Sequence, residues 1–370
     1  MDTSVDKIIN KKVIVGLSGG VDSAVTALLL KQKGADVQAL HMTNWNDDDG
    51  YCNAAEDLQE AKKVCKNLSI PLHHVNFAKE YMDLVFEDFI HEYKIGRTPN
   101  PDIICNREIK FGVFKNYASR LGGDFIATGH YAKLRKSNKT IELVKAKDTN
   151  KDQTYFLHAV DSKAFKNTLF PLGDLTKDEV REIAKMNGLM NFNKKDSTGI
   201  CFIGERPFQD FLKNYLPANP GLTFDKNGNL IGQHDGLMYY TIGQRRGLNI
   251  GGQKNGTGEP FFVIDKDVKN NNLIVAQGDD SDLYKQGVII KNFSWLGNAS
   301  NIFQRKKKFM CHGKIRYRQS DQACEVDVCD ENEVKIRFEE KQRAIATGQA
   351  TVLYLNDRCL GGGFVDEIIA

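Results

Sequence analysis

The stretch "VIVGLSGGVDSAVTALLLKQKGADVQALHM", residues 13 to 42, decides how this chain is read. Val13 to Leu17 is an apolar run of strand length, interrupted by Gly19 and Gly20. Beyond them Val21, Val25, Leu28 and Leu29 recur at helical spacing, and Gly34 stands where a left-handed glycine ends a helix. Asp36 to Met42 is a second strand. A Ser/Gly turn that opens a helix gathers backbone N–H groups and the positive end of the helix dipole at one point, so it binds anions. Ser18 and Ser23 add hydroxyl donors. The same turn could also do no more than close the strand–helix joint. A Walker loop would carry Gly-Lys-Ser/Thr, whose lysine stabilises charge on the terminal phosphates, and that lysine is missing.

Outward from this stretch, strand-like and helix-like segments alternate. "NAAEDLQEAKKVCKNLSI" is a helix, "PLHHVNF" a third strand, and "DFIATGHY", Asp124 to Tyr131, a fourth. The pattern predicts an α/β fold with an open parallel sheet covered by helices over residues 1–212. Ligands of such sheets lie beyond the carboxyl ends of the strands, where Gly16 to Ser23, Met42 and Gly129 fall. After Leu212 the chain turns dense in Gly and Asn, which predicts a small β-rich central domain over 213–283. From Tyr284 the short segments "KIRYRQ", "ACEVDVC", "EVKIRFEE" and "ATVLYL" predict a C-terminal antiparallel β-barrel over 284–370.

Composition narrows the classes. Of 370 residues, 51 are Lys or Arg and 48 Asp or Glu, a net +3 that neither requires nor excludes nucleic acid. Clustering is more telling: "RKKKFMCHGKIRYRQ", Arg305 to Gln319, holds seven basic residues and no acid. The eight cysteines contain no CxxC pair and fit neither a disulfide framework nor a zinc site, so reduced cytoplasm is the expected compartment. The histidines show no metal-ligand spacing, and no metal site is expected. No signal segment and no apolar run approaching the ~20 residues of a membrane span is expected either.

"SGGVDS" resembles the PP-loop of ATP pyrophosphatases, which cleave ATP between the α- and β-phosphates and leave an adenylate. "GRTPNPDIICNREIKF" (Gly96 to Phe111), "ATGHYA", "KDQTYFL", "DSTGICFIGERPFQDFL" (Asp196 to Leu212) and "YTIGQRRGL" narrow the superfamily. In this order they resemble the tRNA-specific 2-thiouridylase family of bacteria and mitochondria, from the loop to the terminal "GGGFVDEI".

The resemblance implies ATP-dependent conversion of the wobble uridine of tRNA to 2-thiouridine, with ATP held by Gly16, Leu17, Ser18, Gly19, Gly20, Val21, Asp22, Ser23, Met42 and Gly129. Such chemistry needs a sulfur carried as a persulfide, and cysteine is the side chain that holds one and can be restored. Cys201 matches the carrier, and Cys105 the second thiol, which releases hydrosulfide or takes up the disulfide when the terminal sulfur attacks the base. Asp102 matches the general acid/base. Asn100, Pro101 and Asp102 match the target-base stretch, while Lys151, Asp152, Gln153, His130, Gln349, Arg316 and Tyr317 match tRNA contacts. Asp22 could orient Mg²⁺ or cap the helix.

Two matching cysteines do not suffice for an iron–sulfur cluster, and none is expected. Implied partners are tRNA isoacceptors for Lys, Glu and Gln and a persulfide relay fed by a cysteine desulfurase, acting on a monomer. Two alternatives stay open from the residues alone. One is a PP-loop small-molecule ligase of the argininosuccinate synthetase type, and the other a non-catalytic tRNA-binding or sulfur-relay protein.

Overall fold

The computed structural model describes residues 8–45, 54–136, 140–195, 208–248, 250, 258–299 and 306–370. Strand β1 (Lys12–Gly16), helix α1 (Val21–Gln32), β2 (Asp36–Thr43), α2 (Ala54–Leu68), β3 (Leu72–Asn76) and β4 (Phe125–Ala127) follow the expected alternation. A hairpin of β5 (Lys133–Lys136) and β6 (Ile141–Val144) and a short β7 (Thr168–Leu169) come next. The order β3-β2-β1-β4-β7 is parallel throughout. The chain leaves central β1 toward β2 on one side and later returns to its other side as β4, so a crevice opens at the carboxyl end of β1.

Strand β1 shows why the sheet is covered on both faces. Val13, Ile14 and Val15 are all fully buried, as a central parallel strand requires. Val13 and Val15 pack with Val25 and Leu28 of α1 and Val64 of α2, whereas Ile14 and Leu40 pack with Phe111, Phe114 and Ile126. Complete burial of each such side chain contributes about 1.5–3 kcal/mol. The second face is built by helical segments that the alternation did not bring out, Glu87–Lys94, Pro101–Ile104, Cys105–Val113 and Phe114–Arg120.

A four-stranded sheet follows, with β8 (Gly221–Asp225), β9 (Leu230–His234), β10 (Phe261–Asp267) and β11 (Asn272–Gln277) in the order β10-β11-β8-β9. The remaining strands are β12 (Tyr284–Ile290), β13 (Ser294–Trp295), β14 (Lys308–Lys314), β15 (Gln322–Val328), β16 (Val334–Arg343), β17 (Ala350–Leu355), β18 (Arg358–Phe364) and β19 (Glu367–Ile369). They form one antiparallel sheet with the β5–β6 hairpin, which joins it through Arg358 opposite Val144. The first half of the chain thus supplies two strands to the last sheet.

One strand expectation is corrected. "KIRYRQ" is not a strand of its own: β14 ends at Lys314, and the chain turns so that Ile315 N–H donates to Gln319 Oε1 at 2.9 Å. Nor is the basic run evenly solvated, because Lys314 is buried and lies 3.5 Å from Asp321. No helix among the described residues is long and apolar enough to cross a membrane.

Candidate active site

The loop between β1 and α1 is held by its own hydroxyls. Ser18 N–H donates to Ser23 Oγ at 3.2 Å, the two serine hydroxyls lie 3.2 Å apart, and Ser23 Oγ donates to the Gly20 carbonyl at 3.0 Å. Gly19 has φ +82°, and a Cβ there would lie 2.5 Å from the Asp57 carbonyl, so glycine is required twice over. From below, the buried His41 donates Nδ1–H to the Leu17 carbonyl at 2.8 Å, and burial lowers its pKa. From the side, Asn191 Nδ2 donates to the Gly19 carbonyl at 3.1 Å. Gly129, at the end of β4, lets that strand close on the helix start: a Cβ would sit 2.9 Å from the Ser23 nitrogen.

Asp22 does not cap the helix. The N-cap is Gly20, and the Asp22 oxygens turn sideways to Lys177 Nζ at 2.8 Å each, with Tyr131 Oη donating at 2.8 Å. Lys177 opens the helix Lys177–Met186, which Thr176 and Glu179 start with a reciprocal capping box. Sequence reading passed over this lysine, although Thr-x-x-Glu before an apolar run is a visible helix-start signal.

A cavity of about 330 Å³ joins the loop to the second group of expected residues. Gly16, Leu17, Ser18, Asp22, Ser23, Met42 and Gly129 form one part of its wall, and Asp102, Cys105, Lys110, His130 and Gln153 another. Gly19 and Gly20 shape the loop without lining the cavity, and the Val21 side chain belongs to the core. Asp102 stands in the short helix Pro101–Ile104 and Cys105 follows it directly. Burial pushes the Asp102 carboxyl up, and the Lys110 charge partly opposes that rise. His130 is buried, its Nδ1 2.7 Å from Thr128 Oγ1; burial and the Lys110 charge hold it well below the usual histidine pKa, so it is neutral at pH 7. Cys201 lies outside the described residues.

One cavity thus brings a Ser/Gly loop together with an acid and a thiol, and relatives match this chain over almost their whole length. The chain matches the family models described as tRNA methyl transferase HUP domain over 11–205, tRNA methyl transferase PRC-barrel domain over 209–277 and Aminomethyltransferase beta-barrel domain over 285–365. It is 54% identical over 360 residues, 96% of this chain and 99% of the relative, to the tRNA-specific 2-thiouridylase MnmA of Francisella tularensis subsp. mediasiatica. The chain belongs to the tRNA-specific 2-thiouridylase family. A second relative of that name, from Francisella tularensis subsp. novicida, is 53% identical over the same shares. Among solved structures, the U34-tRNA thiolase NcsA from Methanococcus maripaludis matches 57% of this chain and 68% of its own at 21% identity, with a TM-score of 0.36.

Most of the residues expected from the sequence to contact tRNA lie on both sides of the seam between the helical half and the last sheet. Asn100 and Pro101 line a neighbouring cavity of about 370 Å³ together with Arg97, Arg107 and Asp366. Gln349 Nε2 donates to the Thr98 carbonyl at 3.2 Å, Thr98 N–H donates to the Thr347 carbonyl at 2.9 Å, and Arg97 reaches the Val365 carbonyl at 3.0 Å. The last sheet therefore holds the segment that leads into Asp102. Tyr317 Oη donates to the Lys151 carbonyl at 3.3 Å and its ring lies 4.5 Å from that of Phe156. Arg316 donates to the Ala344 carbonyl at 2.8 Å. The Asp152 carboxylate is buried and accepts from Ala146 N–H and Thr154 Oγ1, at 3.0 and 2.7 Å, so it fixes its own segment. Gln153 Oε1 accepts from Tyr131 N–H at 3.0 Å.

Proposed function

We propose that this protein thiolates the wobble uridine of tRNA at C2, consuming ATP and releasing pyrophosphate and AMP. The observation that carries the reading is the one cavity lined by the phosphate loop, Asp102 and Cys105 together. A small-molecule ligase of the same superfamily would need neither a thiol there nor a last sheet clamped to the segment that bears the acid.

The loop N–H groups and the Ser18 and Ser23 hydroxyls hold the pyrophosphate end of ATP. Uracil O2 attacks the α-phosphorus, the bond to the β-phosphate breaks, and pyrophosphate departs with the electron pair. Asp102 takes the N3 proton; a carboxyl raised by burial is better suited to this than an ordinary one. Sulfur arrives as a persulfide on Cys201. Attack by the Cys105 thiolate on the inner sulfur gives the Cys105–Cys201 disulfide and hydrosulfide, which adds to C2 and expels AMP. In the other route the terminal sulfur adds to C2 first, and the same disulfide forms as Cys105 frees it. In both, an external thiol then reduces the disulfide.

Mg²⁺ in nucleotide sites is held by one or two carboxylates and the phosphates themselves. Asp22 and Asp57 on the cavity wall, paired with Lys177 and Lys194, would share their carboxylates with the ion, which would neutralise phosphate charge. The same reading includes tRNAs for Lys, Glu and Gln, a cysteine-desulfurase-fed persulfide relay, a cytoplasmic monomer, and contacts to tRNA from Lys151, Gln153, His130, Arg316, Tyr317 and Gln349. It also includes three units over 1–212, 213–283 and 284–370.

Sulfur incorporation into an unmodified transcript with uridine at the wobble position, followed by retardation on a mercury gel, tests the reading. Retardation that needs ATP, a persulfide donor, Cys105 and Cys201 supports it. A Cys105→Ser or Cys201→Ser variant that still thiolates sinks the sulfur path.

A further inference from the structure

The cavity wall carries carboxylates at Asp22, Asp57 and Asp102 but a single lysine or arginine among the described residues, Lys110. Lys177 is committed to both Asp22 oxygens, and Lys194 Nζ lies 2.7 Å from Asp57 Oδ1. His41 and His130 are held neutral by burial. A polyanionic nucleotide entering this space meets two carboxylates already paired with lysines, the Asp102 carboxyl and one ammonium. Lys110 makes no hydrogen bond or ion pair among the described residues, so that ammonium is not already committed.

Backbone winding explains how Lys110 comes to share a wall with Cys105. In an α-helix of 3.6 residues per turn, residues five apart sit about 140° around the axis from each other. Cys105–Val113 is instead wound as a π-helix, and at its end Phe114 N–H donates to the Ile109 carbonyl, five residues back. With i→i+5 bonding the turn is wider, and positions 105 and 110 lie nearer one face than the α-helical 140° would allow. Lys110 thereby lines the same cavity as Asp102, Cys105 and the phosphate loop. The charge of Lys110 reaches Asp102, pulling its pKa down, and lowers that of His130.

We propose that Lys110 is a catalytic residue of the thiolation reaction: its ammonium holds the α-phosphate of ATP during attack by uracil O2, and then the phosphate of AMP as it leaves C2. The assignment rests on the thiolation reading above. An α-phosphate bound between the loop and the base must lie where the two parts of the wall face each other, and a loop without its own lysine leaves its developing charge to a cation from elsewhere. Neither bond change requires a proton from Lys110, which stays an ammonium throughout.

The test uses the full chain with ATP, Mg²⁺ and an unmodified tRNA transcript, comparing wild type with Lys110→Met and Lys110→Arg. Pyrophosphate release at saturating ATP is read separately from tRNA binding and from the thermal melt. The expected result is a loss of about 10²–10³-fold in the maximal rate of pyrophosphate release for Lys110→Met, the size of effect seen when one preorganised donor is removed. Transcript affinity should stay within about threefold, and Lys110→Arg should recover a substantial part of the rate. Wild-type pyrophosphate release in Lys110→Met overturns the assignment, including the case in which only thiolation is lost. So does a folded Lys110→Arg no better than Lys110→Met, or, should Lys110→Met not fold, one with less than a hundredth of the wild-type rate. A wild type that neither releases pyrophosphate nor thiolates the transcript would sink the thiolation reading itself, which separates the two failures.

Discussion

Lys177 Nζ lies 2.8 Å from each carboxylate oxygen of Asp22, tying the first turn of the phosphate-loop helix to a helix 155 residues further on. The lysine side chain is 9% exposed and that of the aspartate 31%, so the pair is only partly screened. Lys177→Met leaves a half-buried carboxylate with Tyr131 as its remaining partner, at an expected cost of about 1–3 kcal/mol. Adding Asp22→Asn should recover most of that stability without restoring pyrophosphate release. Thermal melts of the two single variants and the double variant measure the coupling; strict additivity would mean the pair contributes nothing.

Gly129→Ala places a methyl group 2.9 Å from backbone atoms of Asp22 and Ser23, where neither can yield without moving the loop. The expected result is a loss of about 1–3 kcal/mol and a loss of ATP-dependent turnover out of proportion to it. Equilibrium unfolding beside steady-state kinetics checks this, and unchanged ATP saturation would count against the close approach.

Asp102 carries a pH signature. Its folded pKa is raised above 3.8, so its contribution to stability is fully present below about pH 4 and is lost as pH rises through the folded value. Asp102→Asn removes that loss. The variant should therefore melt higher than wild type at pH 7, with the gap narrowing as pH falls, while thiolation is abolished. A variant that melts lower than wild type at neutral pH would show that the charged carboxylate stabilises the fold.

The clamp on the acid-bearing segment is the fourth test. Arg97 Nε lies 2.8 Å from Glu92, Nη1 lies 3.5 Å from Asp366, and Nη2 donates to the Val365 carbonyl. Burial raises the Glu92 pKa against the pull of Arg97. Arg97→Ala is expected to cost about 1–3 kcal/mol and to raise KM for tRNA more than KM for ATP. Equal shifts in both constants would refute a role confined to the seam.

Much of the nucleotide half was legible because its signals are local. The apolar run at Val13–Val15, the glycines at 19 and 20, and the helix-ending Gly34, which has φ +82°, all declare their conformation within a few residues. Long-range pairing left no such mark. Nothing in the sequence near Ile141–Val144 announces that Val144 pairs with Arg358, and the "KIRYRQ" segment alternates like a strand while Gln319 folds it back as a turn. The family resemblance placed Asp102 and Cys105, and the cavity brings both to the loop. Lys177 and Lys110 were missed because a lone lysine carries no signal until the fold, or a π-helical turn, decides which wall it joins.

In the proposed reaction uracil O2 attacks the α-phosphate of ATP within this one cavity and leaves as part of AMP. Its most direct test is a transcript whose wobble uridine carries ¹⁸O at O2, thiolated with ATP and a persulfide donor, with the released AMP weighed by mass spectrometry. One ¹⁸O atom should appear in AMP for each 2-thiouridine formed. Unlabelled AMP alongside labelled water or retained label in the RNA would contradict it.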